Sequence, residues 1–257
     1  MGSKLRKDSI STDWDLKRTD FSVKTVLDVL FPPRCAICDE VISVSARGIC
    51  PRCRGRLSYV EKPVCYKCGK EVMSVEEEYC PDCGRKERDF IKGFPVFNYI
   101  SPVSDSIMKL KYGGRQEYAS FFGEEIYRVH GKELDKLGIE AIVPIPIHKK
   151  KYISRGYNQA ELIADVLGKC MHVKVRNDIL KRCEDTPPQK QLSDTEREIN
   201  MSRAFTATET RGELPETILL VDDIYTTGAT VQACTKACME KGIKMVYYTS
   251  VAIGAVD

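Results

Sequence analysis

Residues 217–230 read Thr-Ile-Leu-Leu-Val-Asp-Asp-Ile-Tyr-Thr-Thr-Gly-Ala-Thr, and no other stretch constrains the fold as much. The run Ile218–Val221 shows no polar alternation, which suits a strand buried on both faces of a parallel sheet. A short loop of threonines and one glycine follows. Val231, Ala233, Cys234, Ala237, Cys238 and Met239 then recur at helical spacing. A buried strand running through a loop into a helix is the unit from which α/β folds are built.

The same stretch carries chemistry. A helix N-terminus offers free backbone N–H groups and the positive end of the helix dipole, so it suits an anion. Gly228 allows close backbone approach, and the threonine hydroxyls add donors. Tyr225, Thr226, Thr227, Gly228, Ala229 and Thr230 therefore form a candidate phosphate cradle. Asp222 and Asp223 would repel a phosphate unless they serve something else. The vicinal hydroxyls of a ribose, beside a divalent metal, suit them. The expected site is one for ribose 5-phosphate, with Asp222 and Asp223 as its catalytic acids. The plainer alternative is a solvated acid pair on an ordinary strand–loop–helix turn. Neither G-x-G-x-x-G nor G-x-x-x-x-G-K-[ST] occurs in the chain.

Four C-x-x-C pairs stand upstream: Cys35/Cys38, Cys50/Cys53, Cys65/Cys68 and Cys80/Cys83. Their even spacing is an internal repeat, and eight thiolates make two tetrahedral zinc sites. The simplest pairing joins the first two pairs and the last two, with an interleaved pairing open. Disulfides, redox pairs and an iron–sulfur cluster are the competing uses. No export signal is evident, so the expected compartment is the cytoplasm, where thiols stay reduced. No apolar run approaches the ~20 residues of a membrane span. The net charge of +3 is too weak to argue for nucleic acid by itself.

The chain divides by composition into a polar extension (1–21), a short helix plus double zinc ribbon (22–90) and an α/β domain (91–257). Phe94–Tyr99 reads as an edge strand, because of its proline. Residues 102–112 read as a helix with Val103, Ile107, Met108 and Leu110 as apolar contacts. It ends at a loop where Lys111, Gly113, Gly114 and Arg115 suit a diphosphate. Residues 139–145 read as a buried strand, followed by a basic loop at His148–Lys151 and a helix capped by Ser154. Val173–Lys181 reads as a strand, residues 183–192 as a mobile loop, and Ser193–Glu196 as a capping box.

Val-Asp-Asp-Ile-Tyr-Thr-Thr-Gly-Ala-Thr at 221–230 resembles the phosphoribosyl diphosphate (PRPP) motif of type I phosphoribosyltransferases. With Arg155-Gly-Tyr-Asn-Gln159, the 182–205 region and the paired cysteines, the chain resembles the competence protein F (ComF) family. The resemblance implies a phosphoribosyltransferase-like, mostly parallel sheet flanked by helices and preceded by a zinc-ribbon module. It implies PRPP with Mg²⁺ at the acid pair, Arg155 and its neighbours near the ligand, and a lid at 183–192 carrying Gln189. It also implies a role in natural competence, with single-stranded DNA and DNA-uptake proteins as partners. Nothing in the sequence marks a base-recognition pocket, so an enzyme and a non-catalytic PRPP- or nucleotide-sensing module both stay open.

Overall fold

The computed structural model describes residues 32–183, 204–208 and 212–254. The extension at 1–21, the helix at 22–31, Gln189 with most of the expected lid, and the capping box lie outside them.

Two short helices, α1 (Pro51–Arg54) and α2 (Pro81–Arg85), each start on a proline just after a cysteine. Proline is pre-shaped for a first helical turn and loses no hydrogen bond there. Strand β1 (Gly93–Asn98) opens the main sheet, and helices α3 (Val103–Tyr112) and α4 (Tyr118–Leu134) follow. Next come β2 (Ala141–Pro144), α5 (Lys149–Arg155) and α6 (Gln159–Met171). The pair β3 (Leu180–Arg182) and β4 (Phe205–Ala207) forms a small antiparallel ribbon. The chain closes with β5 (Thr217–Tyr225), α7 (Ala229–Glu240) and β6 (Met245–Ile253). The main sheet is all parallel in the order β1-β6-β5-β2, so β1 is an edge strand, as its Pro95 predicts.

Both sheet faces are buried, as the apolar runs require. Leu219 and Val221 face a layer built from α3, α4 and α6. Ile218 and Leu220 face α7. The zinc-ribbon region divides between the same two layers. Cys35, Cys53, Ile37 and Ile49 belong to the first cluster, and Cys65, Cys68, Cys80 and Phe90 to the second. The cysteine module thus straddles the β1 edge and shares its apolar contacts with the sheet.

Four local readings change. The lysines at 149–151 are not loop but the first turn of α5, whose N-cap His148 accepts from the Lys150 N–H at 3.1 Å. Ser154 lies inside that helix. The cap of α6 is Asn158, which accepts from the Ala160 N–H at 3.1 Å. The segment 173–181 is not one strand. Val175 makes a single bridge to Ile142, and Arg176 then closes on Asp178 at 2.7 Å, turning the chain before β3. Met108, expected inside, is 46% exposed on α3.

Candidate functional site

The sheet's carboxyl ends gather the expected groups. Asp222 and Asp223 are the last-but-three and last-but-two residues of β5, and Tyr225 ends the strand. Gly228 follows in the left-handed region at φ 76° and starts α7. A Cβ there would overlap the ring of Tyr225, so this turn admits only glycine. A recess of about 150 Å³ holds both aspartates and Thr230, walled by Lys111, Lys151, Arg155 and Arg182. Four cations around two carboxylates give a site that can take an anionic ligand and still face acids toward its neutral hydroxyls.

The two acids differ. Asp223 is 4% exposed; its Oδ1 lies 2.8 Å from Lys111 Nζ, and its Oδ2 accepts from Gln159. Gln159 is in turn held by Arg155, whose guanidinium lies 5.0 Å over the Tyr112 ring. Among the described residues Asp222 has no such clamp. Its Oδ1 accepts from the Asp223 N–H at 2.8 Å. Burial, with the Asp223 charge beside it, pushes Asp222 up to about 8, against the pull of Lys111 and Arg182. Arg182 is lowered by its own burial, and its Nε is buried without a hydrogen-bond partner among the described residues.

Three expected residues are used differently. Lys111 is ion-paired to Asp223 rather than open to an anion. Arg115 lies outside the recess, holding Asp39 of the first cysteine turn at 2.6 Å, where Tyr118 also donates to Asp39 at 2.7 Å. Tyr225 turns under the sheet, 3% exposed, and stacks on Tyr248 with centroids 4.8 Å apart. Simple strand alternation would put Tyr225 with Leu219. The facing reverses across the acid pair instead: Ile224 joins the Leu219 side and Tyr225 the Ile218 side. Thr226 and Thr227 are exposed, while Ala229 and Thr230 are half-buried at the start of α7.

Two further cavities adjoin the recess. One, about 370 Å³, is walled by Lys111, Gly114, Lys150, Lys151 and Arg155, and no carboxylate lines it among the described residues. Gly114 there adopts φ 69°, while Gly113 ends α3 by donating to Lys109. The other, about 460 Å³, shares Pro146, Ile147 and Arg182 with the recess and adds Tyr152, Glu161 and Leu180. Its walls come from β2, α5, α6 and β3, which no sequence spacing unites.

The cysteines form two separate clusters, Cys35/Cys38/Cys50/Cys53 and Cys65/Cys68/Cys80/Cys83, with ligand atoms within 4.8 Å of one another. A Zn²⁺ tetrahedron with ~2.3 Å bonds has edges near ~3.8 Å. The sulfur separations of 3.8 Å (Cys35–Cys50), 3.9 Å (Cys38–Cys50) and 3.6 Å (Cys68–Cys80) match that spacing. The four-thiolate sets fit one structural zinc each and leave no position for a catalytic water. The simple pairing of the cysteine pairs is the one the fold adopts.

The model of the double zinc ribbon domain family matches residues 26–84. Competence protein F of Haemophilus influenzae is 28% identical over 219 residues, covering 82% of this chain and 93% of that protein. The DNA utilization protein YhgH of Escherichia coli is 29% identical over 153 residues, 57% of this chain and 65% of its own length. Competence protein ComFC of Streptococcus pneumoniae is 31% identical over 156 residues, 58% of this chain and 62% of its own. The chain is similar to proteins of the ComF type. Its architecture is a mostly parallel sheet flanked by helices, with an N-terminal module of two four-cysteine zinc-ribbon sites. No helix among the described residues is long and apolar enough to cross a membrane.

Proposed function

We propose that this chain is a PRPP-binding, phosphoribosyltransferase-like protein of the ComF type that supports DNA uptake in natural competence, as the names of its relatives suggest. The observation that carries the reading is the recess where an acid pair, the start of α7 and four cations meet at the carboxyl end of β5. Ligands of open α/β sheets gather at such strand ends.

In this reading the loop Thr226–Thr230 takes the 5′-phosphate through its backbone N–H groups. Asp222 and Asp223 accept from the ribose diol and stabilise positive charge developing at the anomeric carbon. The diphosphate lies toward Lys111, Lys151, Arg155 and Gly114. The bond from the anomeric carbon to the diphosphate oxygen breaks, its electron pair leaves with diphosphate, and a bond forms to the nitrogen of an N–H acceptor, whose proton passes to the departing diphosphate or to water. A Mg²⁺ ion held by the ligand's oxygens beside the acid pair would offset the diphosphate charge. The 460 Å³ cavity next to the recess is the space open to an acceptor. Lys111 on Oδ1 and Gln159 on Oδ2 must both yield before the two oxygens of Asp223 are free to serve the diol.

A second reading, a non-catalytic module that binds PRPP or single-stranded DNA, is favoured by the cation-walled 370 Å³ groove with the exposed Tyr112 in its wall. Cations that track a backbone and aromatics that stack on bases are what single strands need.

Phosphorus NMR of PRPP with Mg²⁺ tests both. Free diphosphate appearing only with one nucleobase establishes the transferase. Shifted PRPP resonances without turnover establish a binding module. PRPP resonances unchanged by the protein, and no different with Asp223→Asn, defeat the PRPP reading.

A further inference from the structure

The stretch that links the second cysteine cluster to β1 does more than connect. Arg88 Nη2 donates to the carbonyl of Thr227, inside the candidate phosphate loop, at 2.7 Å. One residue on, Asp89 and Gln232 of α7 bond reciprocally. The Asp89 N–H donates to Gln232 Oε1 at 3.0 Å, and Gln232 Nε2 donates to Asp89 Oδ2 at 2.5 Å. Phe90 is wholly buried and packs edge-on against Tyr248 at 5.0 Å and Tyr225 at 6.4 Å. Tyr248 donates to the carbonyl of Cys68 at 2.7 Å, and the Tyr225 ring is the one that Gly228 packs against. Three consecutive residues of the cysteine module therefore hold the loop's backbone, the first turns of the helix behind it and the aromatic floor beneath it.

We propose that Arg88–Asp89–Phe90 is a positioning element for the phosphate loop, so that the second zinc ribbon sets how well residues 226–230 hold a ribose phosphate. The proposal rests on the ribose-phosphate reading of that loop. Its physical basis is pre-organisation. Thr226 and Thr227 are exposed and Gly228 is permissive, so the loop has little of its own to fix it. A charged donor on the Thr227 carbonyl orients the peptide planes whose N–H groups would meet an anion, and it brings a positive charge to the same place. Arg88 acts through the loop and is a positioning residue.

The experiment uses the full chain with its zinc. The variants are Arg88→Met, Arg88→Lys and Gln232→Ala, with Arg85→Met on the neighbouring helix as control; Arg85 donates to the Pro81 carbonyl within its own helix. Two quantities are read: backbone ¹⁵N order parameters of Thr226, Thr227 and Gly228 without ligand, and affinity for ribose 5-phosphate by calorimetry. Loss of one charge-assisted hydrogen bond should weaken affinity about tenfold in Arg88→Met, with lowered loop order parameters. Arg88→Lys, which keeps a charged donor, should stay within about threefold. Unchanged order and unchanged affinity in Arg88→Met overturn the proposal. A loop that loosens in Arg88→Met, in a protein that binds no ribose 5-phosphate at all, upholds the positioning and defeats the phosphate reading. If Arg88→Met loses zinc or fails to fold, Gln232→Ala carries the test: weaker binding upholds the proposal and wild-type binding overturns it.

Discussion

The two cysteine clusters look alike in sequence and are fastened to the sheet by different chemistry. The first is held by charge and polar bonds. Arg54 lies 3.3 Å from Glu125, a carboxylate only 3% exposed on α4 that Arg128 and Tyr59 also contact. Arg115 and Tyr118 hold Asp39, and Ser106 donates to the Ala36 carbonyl at 2.5 Å. The second adds a buried aromatic group to its polar bonds: beside the Arg88–Thr227 and Asp89–Gln232 contacts, Phe90, Tyr225 and Tyr248 are all buried, and fully burying one large side chain is worth ~1.5–3 kcal/mol. The first fastening joins helices α3 and α4, which carry Lys111 and its glycines. The second reaches the loop after β5. One repeat has been put to two uses, each matched to the sheet face it covers.

The largest effect should come from breaking the clusters one at a time. Cys50→Ser/Cys53→Ser and Cys80→Ser/Cys83→Ser should each release one zinc and lower stability by several kcal/mol, because metal binding and folding are one event in such modules. The two should differ in ligand binding. At matched loss of melting temperature, the second-cluster variant should lose more ribose 5-phosphate affinity than the first. Equal losses would mean that both ribbons only hold the fold. A smaller effect is expected from Glu125→Gln. It should cost about 2 kcal/mol in denaturant melts, less than a fully buried pair because Arg54 and Arg128 are 40% and 52% exposed, and it should leave ligand affinity alone. Tyr248→Phe should cost about 1–2 kcal/mol by leaving the buried Cys68 carbonyl unpaired, and should weaken ligand binding slightly through the shifted Tyr225 ring.

Much of this was legible in the sequence because it is local. The β5 run, the acid pair, the glycine and the start of α7 follow one another, and their roles follow from residue type and order. The cysteine rhythm likewise offers the adjacent pairing as the simplest, and the fold adopts it over the interleaved one. What was not legible depends on contacts distant in sequence. Arg88 reads as one charge in a charged linker until folding brings it to Thr227. Arg115 reads as a phosphate ligand until Asp39 takes it. Tyr225 fails for a different reason: period-two alternation assumes a regular strand, and the facing reverses across Asp222–Asp223. His148 and Asn158 were missed as caps because lysines hide one helix start and Ser154 is a plausible decoy for the other.

The contrast between the two faces continues into the acid pair and predicts opposite signs for neighbouring substitutions. Asp223 is turned to α3 and α6, against Lys111 and Gln159; Asp222 feels Arg182 and lies in reach of Cys234 on α7. Asp223→Asn leaves Lys111, 16% exposed, without its partner, and should cost stability at neutral pH. Asp222→Asn should do the reverse. The folded Asp222 carboxyl titrates near 8, well above the ~3.9 of an unfolded chain. Between those values the folded protein keeps a proton that the unfolded chain has released. The stability this gives is therefore full below pH ~4 and is lost as pH rises toward 8. The asparagine side chain does not titrate, so the variant should gain on the wild type as pH rises from 5 to 9, at up to ~1.4 kcal/mol per pH unit while only the unfolded acid is ionised. Urea melts of both proteins across that range, in buffer free of phosphate, give the difference directly, and the pH effects common to the zinc sites cancel. A flat difference would mean that Asp222 is ionised in the folded protein at neutral pH. The acids would then form a doubly charged pair before any ligand arrives, with Lys111 and Arg182 together offsetting its charge.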